Sequence, residues 1–317
     1  MREKILFTVD APYRRSLPVK GWYFGAPGGK SLAVMGALRG NEIQQMYICA
    51  RLIQALEELE QAGQLAPGCG VVVIPCANQF SMNVGRRFWA ADNTDINRMF
   101  PGYDQGETTQ RIAARVFDAI QGYQYGVHLT SFYLPGDLLP HVRIMETGYQ
   151  RAEEALHFGL PYVLLRKPQP YDTTTLNYNW QIWNTQAFSL YTYETDNIDS
   201  TAARQAVEAI LRFLFAKGLS RRKVPLPQAA PILFREDGLH NVLSAAGGLL
   251  LRCRRPGDLV RSGDVLGEIL DPCTCAVLEQ LRADCPGRIF FTHRAQLING
   301  HEVAFRILPA SQVHDLL

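Results

Sequence analysis

A strand that breaks on glycine and turns into a helix sets the frame of this 317-residue chain. Leu32-Ala33-Val34-Met35 is an apolar run suited to a buried strand, and Gly36 and Gly40 interrupt it. Beyond Asn41 and Glu42, the segment IQQMYICARLIQALEELE carries apolar residues at helical spacing. Residues in such a turn stand at the carboxyl edge of a sheet, where open α/β folds collect their ligands. Arg39 and Glu42 are three apart in that turn, so both can project toward one point.

The alternation continues downstream. Pro67-Gly68 turns the chain into the β-branched run Gly70–Pro75, fit for an interior parallel strand. A polar, aromatic-rich loop from Cys76 to Gln105 follows, and loops of this length in compact domains usually carry function. The pattern then predicts helix 107–121, strands 125–129 and 141–145, a short helix near 150–158 and a strand at 161–165. A second loop, 166–187, holds Tyr171, Tyr178, Trp180 and Trp183. Its aromatic side chains either shape a pocket or pack on the core. Strand 188–193 ends in Glu194, and helix 200–217 closes the region. The reading is an α/β domain over roughly 1–225, its sheet mixed but largely parallel, with helices on both faces. A Pro-rich linker at 219–231 changes the composition. Residues 228–317 show short strands between Gly and Pro turns, which predicts a small all-β module.

Several functional classes fall away. Ala26–Ser31 imitates a phosphate loop, but Phe24 stands where its first glycine belongs and a strand follows in place of a helix. A net charge of +2 gives no case for nucleic acid, and Arg221-Arg222-Lys223 decorates the linker. No apolar run reaches the ~20 residues of a membrane span. The N-terminus is charged where a secretory signal needs an apolar core, so the expectation is a cytoplasmic protein without membrane partners. Seven cysteines at irregular spacing argue against a disulfide framework, and Cys273-Thr-Cys275 is too tight for a metal knuckle.

Four polar islands remain: Arg39 to Glu42; Asn78 through Arg87 and on to Asp95–Gly102; His128; and Glu194. Taken singly, each has an ordinary structural explanation, such as a first-turn carboxylate, a core histidine or an ion-paired arginine. Their order and spacing together resemble the succinylglutamate desuccinylase/aspartoacylase family of zinc carboxypeptidase-like hydrolases. The family's Gly-x-His-Gly-x-Glu aligns with Ala37–Glu42. Its Asn-Pro with a following arginine aligns with Asn78 and Arg87. Its Asp-x-Asn-Arg-x-Phe-Pro-Gly is complete at Asp95–Gly102, the most specific match. His128 aligns with the histidine of an Asp-x-His strand, and Thr192-Tyr193-Glu194 with a Thr-x-Glu. Through PGDLVRSGDVLGEILD the C-terminal module looks like the family's β domain, which implies a barrel-like module similar to biotinyl and lipoyl carriers. The span 256–271 has no lysine for cofactor attachment, so a covering or oligomer-forming role is the expectation.

The resemblance implies hydrolysis of N-acyl amino acids or related small carboxylated amides. Zinc would be held by Glu42 and His128 and would lower the pKa of a bound water toward ~7. Glu194 would be the general base and Arg87 the carbonyl and oxyanion partner. Asn97 and Arg98, with Asn78 and Arg39 beside them, would hold a small anionic substrate. The resemblance also allows a homo-oligomer.

Three positions depart from the family pattern. Arg39 stands in place of the first zinc-binding histidine, and a guanidinium has five donors and no acceptor, so it cannot bind zinc. Gly126 replaces the Asp of Asp-x-His, and Gln79 replaces the proline after Asn78. Two readings stand side by side. Either zinc keeps Glu42 and His128 and gains a third ligand, His141 or Cys76, or Arg39 takes the metal position and the pocket binds an anionic small molecule without hydrolysing it.

Overall fold

A computed structural model describes residues 1–11 and 13–314. The strands of the first region are β1 (Arg2–Ala11), β2 (Arg14–Gly25), β3 (Leu32–Ala37), β4 (Gly70–Cys76) and β5 (Tyr125–Leu129), then β6 (Gly136–Leu138), β7 (His141–Met145), β8 (Tyr162–Arg166), β9 (Gln186–Tyr191) and β10 (Ile232–Arg235). Its helices are α1 (Ile43–Gln61), α2 (Gln79–Asn83), α3 (Thr108–Ile120), α4 (Leu176–Ile182) and α5 (Ser200–Ala216).

Nine strands form one sheet in the order β1-β2-β4-β3-β5-β9-β7-β8-β10. The centre, β4-β3-β5-β9, is parallel. The β1-β2-β4 edge and the β9-β7 pair are antiparallel. The sheet is therefore mixed, as the alternation predicts. The strands β1 and β2 pair as a long antiparallel ribbon.

Alternation along the central strands sends side chains to two cores. Val34, Val73, Val127 and Phe188 face α1 and α5, whose buried stripes include Leu52, Leu56, Ile210 and Phe213. Ala33, Met35, Val72 and Ala187 face the other way, against Ile112, Val116 and Phe117 of α3 and Leu176 and Trp180 of α4. Both long loops contain helices that apolar period could not reveal: α2 lies in 76–105 and α4 in 166–187.

The remaining strands are β11 (His240–Leu243), β12 (Gly248–Arg252), β13 (Leu259–Val260), β14 (Val265–Leu270), β15 (Val277–Arg282), β16 (Gly287–His293), β17 (Leu297–Ile298) and β18 (Val303–Pro309). They form two sheets, β11-β18-β16-β13 and β15-β14-β12-β17, around Leu266, Ile269, Ile289 and Phe305. This pair of sheets is the small all-β module expected, and no closed barrel is formed among the described residues.

The boundary expected near 225–228 is not a seam in the hydrogen-bond network. β10 lies beyond the linker yet pairs in parallel with β8 of the large sheet. Conversely, β6 pairs with β16 of the C-terminal lobe. Phe132, Tyr162, Tyr191, Phe234, Phe290 and Phe291 fuse the two regions in one apolar cluster.

Candidate active-site cleft

The turn after β3 brings Arg39 and Glu42 together in the interior, where they are 4% and 0% exposed. Gly40 is required there, since a Cβ would sit 2.2 Å from the Arg86 carbonyl oxygen and 2.5 Å from the Ser81 carbonyl carbon. Glu42 is saturated with donors. One oxygen accepts from the Leu38 and Arg39 amides at 2.9 and 3.0 Å. The other accepts from the Ser131 amide and hydroxyl at 3.0 and 2.6 Å, and from Arg39 Nη1 at 3.3 Å. Arg39 turns the rest of its fork on Asp95, donating through Nε at 3.1 and 3.2 Å and through Nη2 at 2.8 Å. Burial opposes the Arg39 charge, but Asp95 and then Glu42 outweigh it, so its pKa is raised.

Beside this pair lies a narrow, closely lined cleft that is partly open to solvent. Its walls include Arg39, Asn97, Arg98, His128, Ser131, Arg143, Arg166, Asn177, Ser189 and Tyr191. The sheet supplies its floor. His128 on β5 registers with Ser189 on β9, and Ser189 with Arg143 on β7, so the three stand in one row on one face. Burial, then the nearby Arg39 and Arg143 charges, lowers the His128 pKa to about 3, so its ring is neutral. Its buried Nε2 has no hydrogen-bond partner.

The arginines differ in their pairing. Arg166 donates to Asp172 at 3.0 Å and pairs with Glu236. Arg98 donates to the Tyr171 carbonyl and stands 3.6 Å from Asp172. Arg143, partly buried, lies over the Tyr191 ring at 4.7 Å with its Nε unpartnered; among the described residues no carboxylate is at ion-pair distance, though Glu236 interacts with it through space.

The other expected residues divide between the cleft and elsewhere. Asn97 reaches it while its Oδ1 accepts from the Leu176 amide at 3.2 Å. Asn78 instead caps α2, accepting from the Ser81 amide and donating to the Leu38 carbonyl at 3.1 Å. Arg87 donates to the Phe132 carbonyl at 2.9 Å, and its pKa is lowered by burial and then by Arg39. It stands near the Arg39–Glu42–Asp95 cluster but is not among the cleft-lining residues. Glu194 follows the end of β9 by three residues and lines a separate depression with Asp137, Tyr193 and Arg252–Pro256.

Of the two suggested replacement ligands, His141 stacks on Tyr191 at 4.7 Å with Nδ1 2.8 Å from the Leu139 carbonyl. The Cys76 thiol is pushed up to about 12 by burial. Neither lines the cleft. Gly126 has its own explanation: a Cβ there would meet the Trp180 ring at 2.7 to 2.9 Å, so the indole leaves no room for a side chain. Trp180 and Trp183 pack on Gly126 and Phe117, and it is Asp172, Thr175 and Asn177 of the second loop that line the cleft.

The donor set does not fit zinc. Arg39 offers no lone pair, Glu42 is engaged by five donors, and His128 is left as a single nitrogen, whereas catalytic zinc takes three protein ligands. Among the described residues, the one group of three metal-binding side chains at mutual reach is His240, Asp284 and Cys285, in the C-terminal lobe.

Sequence reading missed Arg143, Arg166, Asn177 and Ser189. A signal for Arg143 existed: the strand His141-Val-Arg-Ile-Met145 buries its neighbours, and an arginine inside such a strand asks for a ligand or partner.

Comparison with known proteins agrees with this architecture. The family described as succinylglutamate desuccinylase/aspartoacylase catalytic domain matches residues 28–214. The N-alpha-acetyl-L-2,4-diaminobutyric acid deacetylase of Halomonas elongata is 26% identical over 255 residues, covering 77% of this chain and 71% of that protein. The product-bound ectoine utilization protein EutE (DoeB) of Ruegeria pomeroyi superposes with a TM-score of 0.78 at 18% identity, covering 92% of this chain and 89% of that one. A succinylglutamate desuccinylase/aspartoacylase of Rhodobacter sphaeroides superposes with a TM-score of 0.75 at 19% identity, with the same 92% and 89% coverage. No helix among the described residues is long and apolar enough to cross a membrane. The match across more than half of the chain, on this fold, makes the protein a member of the succinylglutamate desuccinylase/aspartoacylase family of amide-bond hydrolases.

Proposed function

We propose that this family member binds a small carboxylated amide of the N-acyl amino acid class through its arginines, with Arg39 as a fixed cation in the metal position. The observation that carries the reading is the double pairing of Arg39 with Asp95 and Glu42, which occupies the carboxylate that zinc would need. Asn97 and Arg98 are the holders of the ligand's exposed end, Arg98 through a guanidinium only partly committed to Asp172. Arg87 and Asn78 act from behind, one holding the 132–133 backbone and the other the turn that carries Arg39. Asp172 is tied to Arg166, and Glu194 lines another depression, so among the described residues no unpaired carboxylate lines the cleft to take a proton from water. Binding without zinc-driven turnover follows.

A second reading, hydrolysis of such amides as performed by the named deacetylase relative, is favoured by the family match and the complete Asp95–Gly102 segment. One experiment separates the two. Zinc content, zinc-dependent thermal shift and release of acetate from N-acetyl amino acids are measured for the natural protein and for Arg39→His. The first reading expects no zinc and no zinc-dependent shift in the natural protein, and zinc uptake by Arg39→His. Zinc near one per chain in the natural protein, lost in His128→Ala, would overturn it.

A further inference from the structure

We infer that the row His128–Ser189–Arg143 is a carboxylate-binding subsite at the floor of the cleft, with Arg143 as its anchor. The inference rests on the binding reading above and adds to it the place and the orientation of the ligand. Three independent features converge. The first is position: register across β5, β9 and β7 puts the three side chains on one face in adjacent strands, all lining the cleft. Neighbouring strands lie about 4.8 Å apart, so a row of three spans the width of a small carboxylate and its neighbours.

The second is unspent hydrogen-bonding capacity. Arg143 has a buried, unpartnered Nε and, among the described residues, no carboxylate at ion-pair distance, unlike Arg39 and Arg166 on either side of it. His128 Nε2 is likewise buried and unpartnered. Ser189 Oγ accepts from Asn177 Nδ2 at 2.7 Å, which leaves its hydroxyl hydrogen free to point into the cleft. The third is electrostatic sign. With Arg39 already committed to Asp95 and Glu42, and Arg166 to Asp172 and Glu236, Arg143 is the cation at the floor left to attract a carboxylate. Arg143 is only partly buried, and Glu236 acts on it through space without reaching ion-pair distance, so an incoming carboxylate would supply the direct partner that its guanidinium lacks. Arg143 then donates in bidentate fashion, Ser189 adds a hydroxyl donor, and the ligand's acyl end points outward toward Asn97 and Arg98.

The test uses isothermal titration of the full-length protein with N-acetylglycine, N-acetylglycinamide and inorganic phosphate. The natural protein is expected to bind N-acetylglycine and to discriminate against the amide, which lacks the carboxylate. Arg143→Met should weaken N-acetylglycine binding by at least about tenfold, the scale of a charge-assisted hydrogen bond. Ser189→Ala, a smaller change that spares the fold, should weaken it by about threefold to tenfold. Equal affinity of Arg143→Met and the natural protein for N-acetylglycine would overturn the subsite while leaving the binding reading standing. Binding of phosphate alone through Arg143, or of none of the three probes, would overturn both.

Discussion

Arg39→Met tests whether the arginine is structural cement or a residual cation of no consequence. The substitution keeps most of the volume and removes the charge. Glu42 loses one of its five donors and keeps the Leu38, Arg39 and Ser131 backbone amides and the Ser131 hydroxyl. Asp95 loses three contacts from the guanidinium and keeps the Asn97 amide at 3.0 Å. Breaking a buried ion pair from one side costs roughly 3–5 kcal/mol. The surviving donors on both carboxylates place this case near the lower end, at about 3 kcal/mol. An unfolding entropy of about 2.1 cal/mol/K per residue gives about 0.7 kcal/mol/K for a chain of this length. The melting temperature should therefore fall by about 4–5 °C in scanning calorimetry at neutral pH. A fall below about 1 °C would refute the argument, because it would mean that Glu42 and Asp95 do not need the cation. The same experiment with Arg39→His should show a comparable loss without zinc and recovery on zinc addition.

Acid stability has a worked sign. Burial, as the largest influence, lowers the His141 pKa to about 3, against about 6.5 in an unfolded chain. Between those values the unfolded chain binds more protons, so stability is lost as pH falls below 6.5 and is flat above it. Each such histidine contributes a slope of about 1.4 kcal/mol per pH unit, and His141→Gln should remove one histidine's share from a urea-unfolding series between pH 4.5 and 7. Gly126→Ala would press a methyl against the Trp180 ring at 2.7 Å and should cost about 1–3 kcal/mol. Adding Trp180→Leu should make the alanine nearly neutral in that background, and a double-mutant cycle that finds the two costs additive would sink the contact argument.

The sequence made the β3-turn-α1 unit legible because an apolar run, two glycines and a helical period coincide there. The parallel centre of the sheet followed from the same signal. Helix α4 was not legible, since LNYNWQI is short and mostly polar, and its place is set by Trp180 closing over Gly126. Arg39 was recognised as foreign to a zinc site from its side chain alone. Its second partner was not, because Asp95 lies 56 residues away and belongs to a motif read as substrate-holding. Glu194 was read as the end of a strand, yet β9 stops at Tyr191, and the next residues carry the carboxylate to a different depression. The floor of the cleft depends on strand order and register, and local pattern does not encode which strands become neighbours.

The exchange of β6 and β10 between the two lobes has a practical consequence for anyone dissecting the chain. A fragment ending in the linker would strip β8 of its outer neighbour and leave Tyr162 and Leu164 facing water instead of Phe234 and Phe290. Its bare edge would invite strand pairing between molecules. The lobe left behind would lack the short ribbon that flanks β16. The two halves are stitched by reciprocal threads, and a cut between them yields two unfinished pieces in place of two modules.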